Sequence, residues 1–256
     1  MRLTCLTTVL LTLPFATAQA DPSPDGHAAP AQASQPATPP TEPSTTEPSR
    51  RDELLGKGWQ SSDDRLLTTN GDATGFHVMV AEARTGYSWR TVATLSQPGV
   101  DADQWIGNTC VTGSGNRAVV VYAPRTFTNR EALFGRGGYT ATVDLRSGTV
   151  TRLPIRTTLA YYNPGCGVDE TATLTQGADQ DLGRTGVLTV DAATGTLSAR
   201  TELPGQFTSA VPVRGGFVAA DAVGLVRVDG NGTHTRLAET GGVPSQVRPD
   251  ADGGVV

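Results

Sequence analysis

The sequence predicts an all-β protein whose main domain is β-propeller-like, built from four-stranded antiparallel blades and incomplete at its end. Three observations lead there. First, a short phrase recurs with variation: VDLRSGTV at 143–150, VDAATGTL at 190–197 and VDGNGTHT at 228–235. Each reads as a strand end, a tight glycine turn and a returning strand. Second, the turn glycines Gly148, Gly195 and Gly232 stand 47 and 37 residues apart, a spacing typical of propeller blades. Third, nothing after residue 50 sustains a 3.6-residue apolar period, and residues 51–56 offer one short helical turn at most.

The elements follow in order. Residues 75–84, GFHVMVAEAR, begin with Phe76, Val78 and Val80 on one face of a strand. Thr85-Gly86 then turns the chain into 87–95, where Tyr87, Trp89, Thr91 and Ala93 face one way. This is a fourth copy of the strand–turn–strand form. Gly86 and Gly148 are 62 residues apart, which leaves room for extra strands or a long loop. Asn116–Tyr122 is a nearly continuous apolar run, predicting an inner strand covered on both faces by neighbouring blades. The next units run 138–154 and 185–203. Short strands at 216–220 and 224–228 follow, with a turn at Asp229-Gly230-Asn231-Gly232. Asn-Gly and Asp-Gly favour the positive-φ turns that match strand twist.

The N-terminus carries the export signal. Arg2, the apolar run TCLTTVLLTLPFA and the small-x-small step Ala18-Gln19-Ala20 predict a signal peptide over 1–20. That run is too short to span a bilayer, and no later segment is apolar enough to do so. Residues 21–50 hold eight prolines and predict a disordered Pro/Ser/Thr-rich tether. The propeller-like domain is expected over 51–256, roughly 200 residues and enough for one sizeable core. Residues 250–256 read as a turn entering a new strand, so the domain is expected to be truncated at its C-terminus. A truncated gene or an early stop would look the same.

Charge and motif content exclude several functions. The formal net charge is −5, with no basic stripe carrying interleaved aromatics, which disfavours nucleic acid as a partner. Thr112-Gly113-Ser114-Gly115 lacks the spacing of a nucleophile elbow. His27, His77 and His234 have no second histidine at ligand spacing, and His77 reads as a solvated strand residue. Asp179/Asp181 and Asp250/Asp252 lack the further oxygen ligands of a calcium loop. No catalytic residue, cofactor or metal site is predicted.

Cys110 and Cys166 are the cysteines that remain after signal cleavage, both in turn-rich, polar surroundings. In an exported chain one disulfide is the simplest reading. A metal site would need His or carboxylate help, and a catalytic thiol would need a base. A bond between them would bring two loops together in one aromatic–acidic corner: Asp103, Trp105, Tyr161, Tyr162, Asp169 and Glu170. This corner is the one predicted interaction site. The alternative for Trp105 is a plug between blades.

The stretches RDELLGKGWQSSDDRLLTTNGDATGFHV, SWRTVATL, DQWIGNTCVTGSGNRAVVVYAPRTFTN and AYYNPGCGVDETATLTQ resemble the N-terminal region of large secreted actinobacterial proteins of the RHS/YD-repeat, polymorphic-toxin-like kind. The resemblance covers about residues 51–256. It implies a propeller-like region ahead of a repeat shell and carries no catalytic residues with it. The expected function is a secreted structural or recognition module, the N-terminal scaffold part of a larger protein. Its partner would be the C-terminal remainder of that polypeptide, or an extracellular protein or glycan. The rival expectation is a secreted propeller hydrolase or lyase acting on an extracellular polymer, with acids contributed by several blades.

Overall fold

In the computed structural model the described residues are 47–177 and 183–256, all within one compact unit, Thr38–Val256. The signal peptide, tether residues 21–46 and the Asp179/Asp181 pair lie outside the described residues.

Strands follow one another as antiparallel neighbours in four sheets, which are the blades of a β-propeller. The first blade has three strands: β1 (Arg65–Gly71), β2 (Phe76–Glu82) and β3 (Trp89–Leu95). The second has β4 (Trp105–Val111), β5 (Arg117–Pro124), β6 (Gly138–Asp144) and β7 (Val150–Thr157). The third has β8 (Gly165–Cys166), β9 (Thr171–Gly177), β10 (Arg184–Asp191) and β11 (Thr196–Pro204). The fourth has β12 (Thr208–Val213), β13 (Gly216–Ala220), β14 (Gly224–Asp229) and β15 (His234–Glu239). The predicted four-stranded blade thus holds for three sheets, and the first has three strands. The apolar run at 117–124 is the second strand of its blade, with β4 inside it.

The recurrent phrase is the third strand, its turn and the fourth strand. Gly86, Gly148, Gly195 and Gly232 all take positive φ, between 65° and 80°. A side chain is strained there, and at Gly148 a Cβ would also meet the Val92 carbonyl oxygen at 2.4 Å. The aspartate ahead of each later turn has a job of its own. Asp144 Oδ1 accepts the N–H groups of Arg146 and Ser147 at 2.9 and 2.8 Å, and Asp191 Oδ1 those of Ala193 and Thr194 at 2.8 and 2.9 Å. Asp229 repeats the arrangement with Asn231 and Thr233. These carboxylates satisfy backbone donors that the tight turn leaves without ladder partners.

The core lies between blades, and β5 shows how period-2 alternation builds it. Ala118, Val120 and Tyr122 face the first blade, where they pack in one cluster with Phe76, Val78, Val80, Leu95 and Trp105. Val119, Val121 and Ala123 face the third blade, with Leu174, Leu188 and Val190. A strand buried on both faces must be apolar throughout, and each such Val or Leu contributes about 1.5–3 kcal/mol. Between the third and fourth blades the cluster is smaller: Val187, Leu203, Ala210, Phe217, Ala219, Val226 and Val228.

Helix is confined to short pieces. α1 (Arg51–Leu55) is the expected single turn. α2 (Glu131–Arg136) sits in the long connection between β5 and β6, and its six residues are too few to show a period in sequence. That connection and the 96–104 segment account for the wide Gly86–Gly148 spacing. At the other end of the chain, Arg248 and Val256 exchange backbone hydrogen bonds at 2.8 Å and Pro249 bridges Val255. They pair antiparallel across a turn. Among the described residues no helix is long and apolar enough to cross a membrane.

Candidate functional site

Because successive strands alternate in direction, the loops divide between two faces. In the four-stranded blades one, here the connector face, carries the blade-to-blade connections and the loops between second and third strands, and the other, the hairpin face, carries the first-to-second and third-to-fourth turns. In the three-stranded first blade the β1–β2 turn lies on the connector face, where the Asp72 carbonyl accepts the Trp105 N–H at 2.9 Å, and the β2–β3 turn lies on the hairpin face. The inner strands of the four-stranded blades run from the connector face to the hairpin face.

This division separates the predicted corner. Asp103 and Trp105 lie at the connector end of β4, as do Tyr161 and Tyr162 at the approach to β8. Asp169 and Glu170 form the hairpin-face turn after β8. Trp105 and Val111, at opposite ends of β4, are about 20 Å apart at 3.3 Å per residue. The six residues are therefore not one site. Trp105 is 1% exposed, tilted against Tyr122 and Tyr139 at centroid distances of 5.9 and 6.3 Å, and so belongs to the core between blades. Arg156 lies over the Tyr139 ring at 3.6 Å and completes this aromatic group. Asp103 pairs with Arg125, whose hydrogen bond holds the carboxyl below its usual range against a smaller effect of burial. Glu170 accepts a hydrogen bond from Thr112 Oγ1 at 3.1 Å, and the Asp169 carbonyl accepts the Gly113 N–H at 3.0 Å. These two acids clamp neighbouring hairpin-face turns together. Tyr161 is the exposed aromatic of the six, at 77%, with its ring 5.6 Å from that of Tyr162.

The cysteines are joined: the Cys110–Cys166 disulfide has Cα atoms 5.6 Å apart. It links strands rather than polar turns, because Cys110 lies in β4 and Cys166 in β8, the inner strands of adjacent blades. The bond lines a central cleft of about 630 Å³, together with Leu67, Val111, Tyr162, Val211 and Arg248. Among the described lining residues the ionisable side chains are Tyr162 and Arg248.

His77 departs from its expected place. It is buried in β2, with Nδ1 2.9 Å from Thr94 Oγ1 and Nε2 3.1 Å from Asp72 Oδ1. Burial by itself would raise the Asp72 pKa. Hydrogen bonds from the Thr74 hydroxyl, His77 and the Thr74 N–H outweigh it and hold the carboxyl at about 2. The group ties the β1–β2 turn to β3. Even alternation in sequence placed His77 opposite Phe76 and Val78, but a blade is covered on both sides, so the opposite face is not solvent.

A second cavity, about 280 Å³, opens on the connector face among the second, third and fourth blades. Phe134, Phe207 and Val243 form its apolar wall, with Arg184, Gln206 and Asp221 at polar positions. Phe134 is placed by α2, whose Phe134 carbonyl accepts the Thr158 hydroxyl and the Leu159 N–H at 3.1 and 2.8 Å. The same loop gives Thr158 and Ala160 to the cavity lining and then presents Tyr161. Asp221 is held well below the usual carboxylate range by the Arg236 guanidinium, against burial, with further bonds from Gly224 and Val223 N–H. Among the described residues no three His, Cys, Asp or Glu side chains gather where they could hold a metal ion. Sequence reasoning reached the tyrosine loop but not this cavity, whose apolar wall comes from three separated segments.

No protein-family model and no curated protein sequence matches the chain. Among solved structures it is similar to TolB from Acinetobacter baumannii, with 18% identity over 75% of this chain and 46% of that one and a TM-score of 0.51. It is also similar to the β-propeller domain of the trilobed protease from Pyrococcus furiosus, with 8% identity over 69% and 54% and a TM-score of 0.45. The chain thus spans about half the length of these proteins. The likeness to TolB supports the fold: the protein is an all-β propeller.

Proposed function

We propose that this chain is an exported recognition module that binds an extracellular protein or glycan on its connector face. It would serve as a scaffold within a larger secreted protein. The observation that carries the reading is the apolar cavity walled by Phe134, Phe207 and Val243 beside the exposed Tyr161. An aromatic platform next to a concave apolar pocket with a few polar groups is the chemistry of ligand capture on a rigid scaffold. The export reading is supported by the N-terminal pattern and the disulfide, which persists in oxidising compartments. The scarcity of ionisable groups around the central cleft favours binding over a hydrolase with acids drawn from several blades.

The test is a glycan and peptide array probed with the folded, oxidised protein. Val243→Arg, at a half-exposed wall position, and Tyr161→Ala should each abolish the strongest signals without changing the melting temperature. Array binding that both variants retain would sink the reading, as would turnover of an array polymer by the parent protein.

A further inference from the structure

On the hairpin face, between the first and second blades, a cleft of about 230 Å³ is lined by Arg65, Arg84, Arg90, Arg146 and Glu82. Four guanidinium groups against one carboxylate make a local charge of opposite sign to the chain's net −5. The arginines come from β1, the β2–β3 turn, β3 and the β6–β7 turn, so only the fold assembles them. Their placement is built. Arg65 Nη1 donates to the Gly115 carbonyl at 2.9 Å and its Nη2 meets Glu82 Oε1 at 3.2 Å. Arg90 Nη2 donates to the Leu145 carbonyl at 3.3 Å and lies 3.7 Å from the same Glu82 oxygen. Arg146 Nε donates to Asn116 Oδ1 at 2.9 Å.

Donors outnumber acceptors here. Glu82 is shared between Arg65 and Arg90. Arg84 pairs with Asp63, an acid that is not part of the lining. Among the described residues Arg146 has no carboxylate partner, and the Arg65 Nε–H is buried with no acceptor. Guanidinium groups present N–H donors in a fixed fork that matches a tetrahedral oxyanion, and a cluster of them focuses field on a small anion.

We propose that this cleft is an oxyanion site that takes a doubly charged phosphate group, free or carried as a monoester. Arg146 and Arg84, at its open side, would meet the ligand, with Arg65 and Arg90 fixing the floor. The site is independent of the connector-face reading and lies on the opposite face.

Isothermal titration of the full chain at about 20 mM salt, where screening is weak, tests it with inorganic phosphate and with glycerol 3-phosphate. We expect saturable 1:1 binding, weakened about tenfold in Arg146→Gln and in Arg84→Gln with unchanged melting, and unaffected by Arg200→Gln on the third blade. Equal affinity for the two probes assigns the site to the phosphate group itself. Tighter binding of the ester assigns it to a phosphate carried on a larger molecule. Absence of saturable binding by both probes would overturn the proposal, and so would parent-like affinity in both lining variants.

Discussion

The two faces of the propeller are made by different rules. On the hairpin face the chain reverses in a few residues, with a positive-φ glycine and an aspartate that accepts the turn's own N–H groups. On the connector face the short β1–β2 and β13–β14 turns use the same aspartate device at Asp72 and Asp221, but the β3–β4, β5–β6 and β7–β8 loops are longer and irregular, and that face holds α2, the exposed Tyr161 and the apolar cavity. Among non-glycine residues the backbone takes positive φ there at Tyr162 ahead of β8 and at Ser209 near the start of β12, and on the hairpin face at Tyr87 in the β2–β3 turn, a conformation that costs energy outside glycine. The lesson is that local backbone chemistry repeats where turns only close a blade. It diversifies where loops can be shaped for a ligand.

The widest test of that contrast is to attack what lies between the faces. Trp105→Ala removes a fully buried ring from the interface of the first two blades and should cost about 3–5 kcal/mol, read by urea unfolding. A cost under about 1 kcal/mol, the range of a surface change, would mean the aromatic group does not hold the blades together. Next comes the Cys110→Ser/Cys166→Ser pair. The bond closes a 56-residue separation, and its loss should cost about 2–4 kcal/mol, with a matching loss on reduction of the parent.

On the hairpin face, Asp191→Ala strips two charge-assisted bonds from one turn and should cost about 1–2 kcal/mol, while Asp191→Asn should cost less. The same carboxylates set the acid limb of stability. At Asp144 the Ser147 N–H, then the Arg146 N–H and the Ser147 and Arg117 side chains, outweigh burial and hold the pKa at about 2. A carboxylate depressed on folding stabilises fully above its ordinary value of about 3.9, and that contribution fades as pH falls toward the folded value. Melting temperature should therefore drop between about pH 4 and pH 2, and Asp144→Asn should flatten that drop. A drop of unchanged steepness would remove these turns as its cause. The smallest effect belongs to the connector face. Tyr161→Ala should change stability by less than about 0.5 kcal/mol, and a larger loss would make Tyr161 a packing residue instead of a platform.

Much of this molecule was legible in the chain because propeller blades are local objects. Strand, turn and return are contiguous, so the recurrent VD…G phrase marked the third and fourth strands, and the unbroken apolar run of β5 marked burial on both sides. The two cysteines left outside the predicted signal peptide pointed to the disulfide by elimination. The corner built on it failed because proximity of two sulfurs says nothing about which end of each strand a neighbour occupies. Asp103 and Glu170 each lie within a few residues of one of those strands, yet they sit on opposite faces.

The sequence by itself determined the class of fold, the positions of the tight turns and the partnership of Cys110 with Cys166. The first two depend on backbone conformation and short-range periodicity, and the third on two cysteines remaining once the predicted signal segment with Cys5 is set aside. Tertiary structure decided that Trp105 is core, that His77 is buried and that Phe134, Phe207 and Val243 share one cavity. It also decided that Arg65, Arg84, Arg90 and Arg146 face one cleft. Each of those outcomes depends on how one blade packs against the next, and that packing joins residues far apart in the chain through side chains whose periodicity carries no record of the partner.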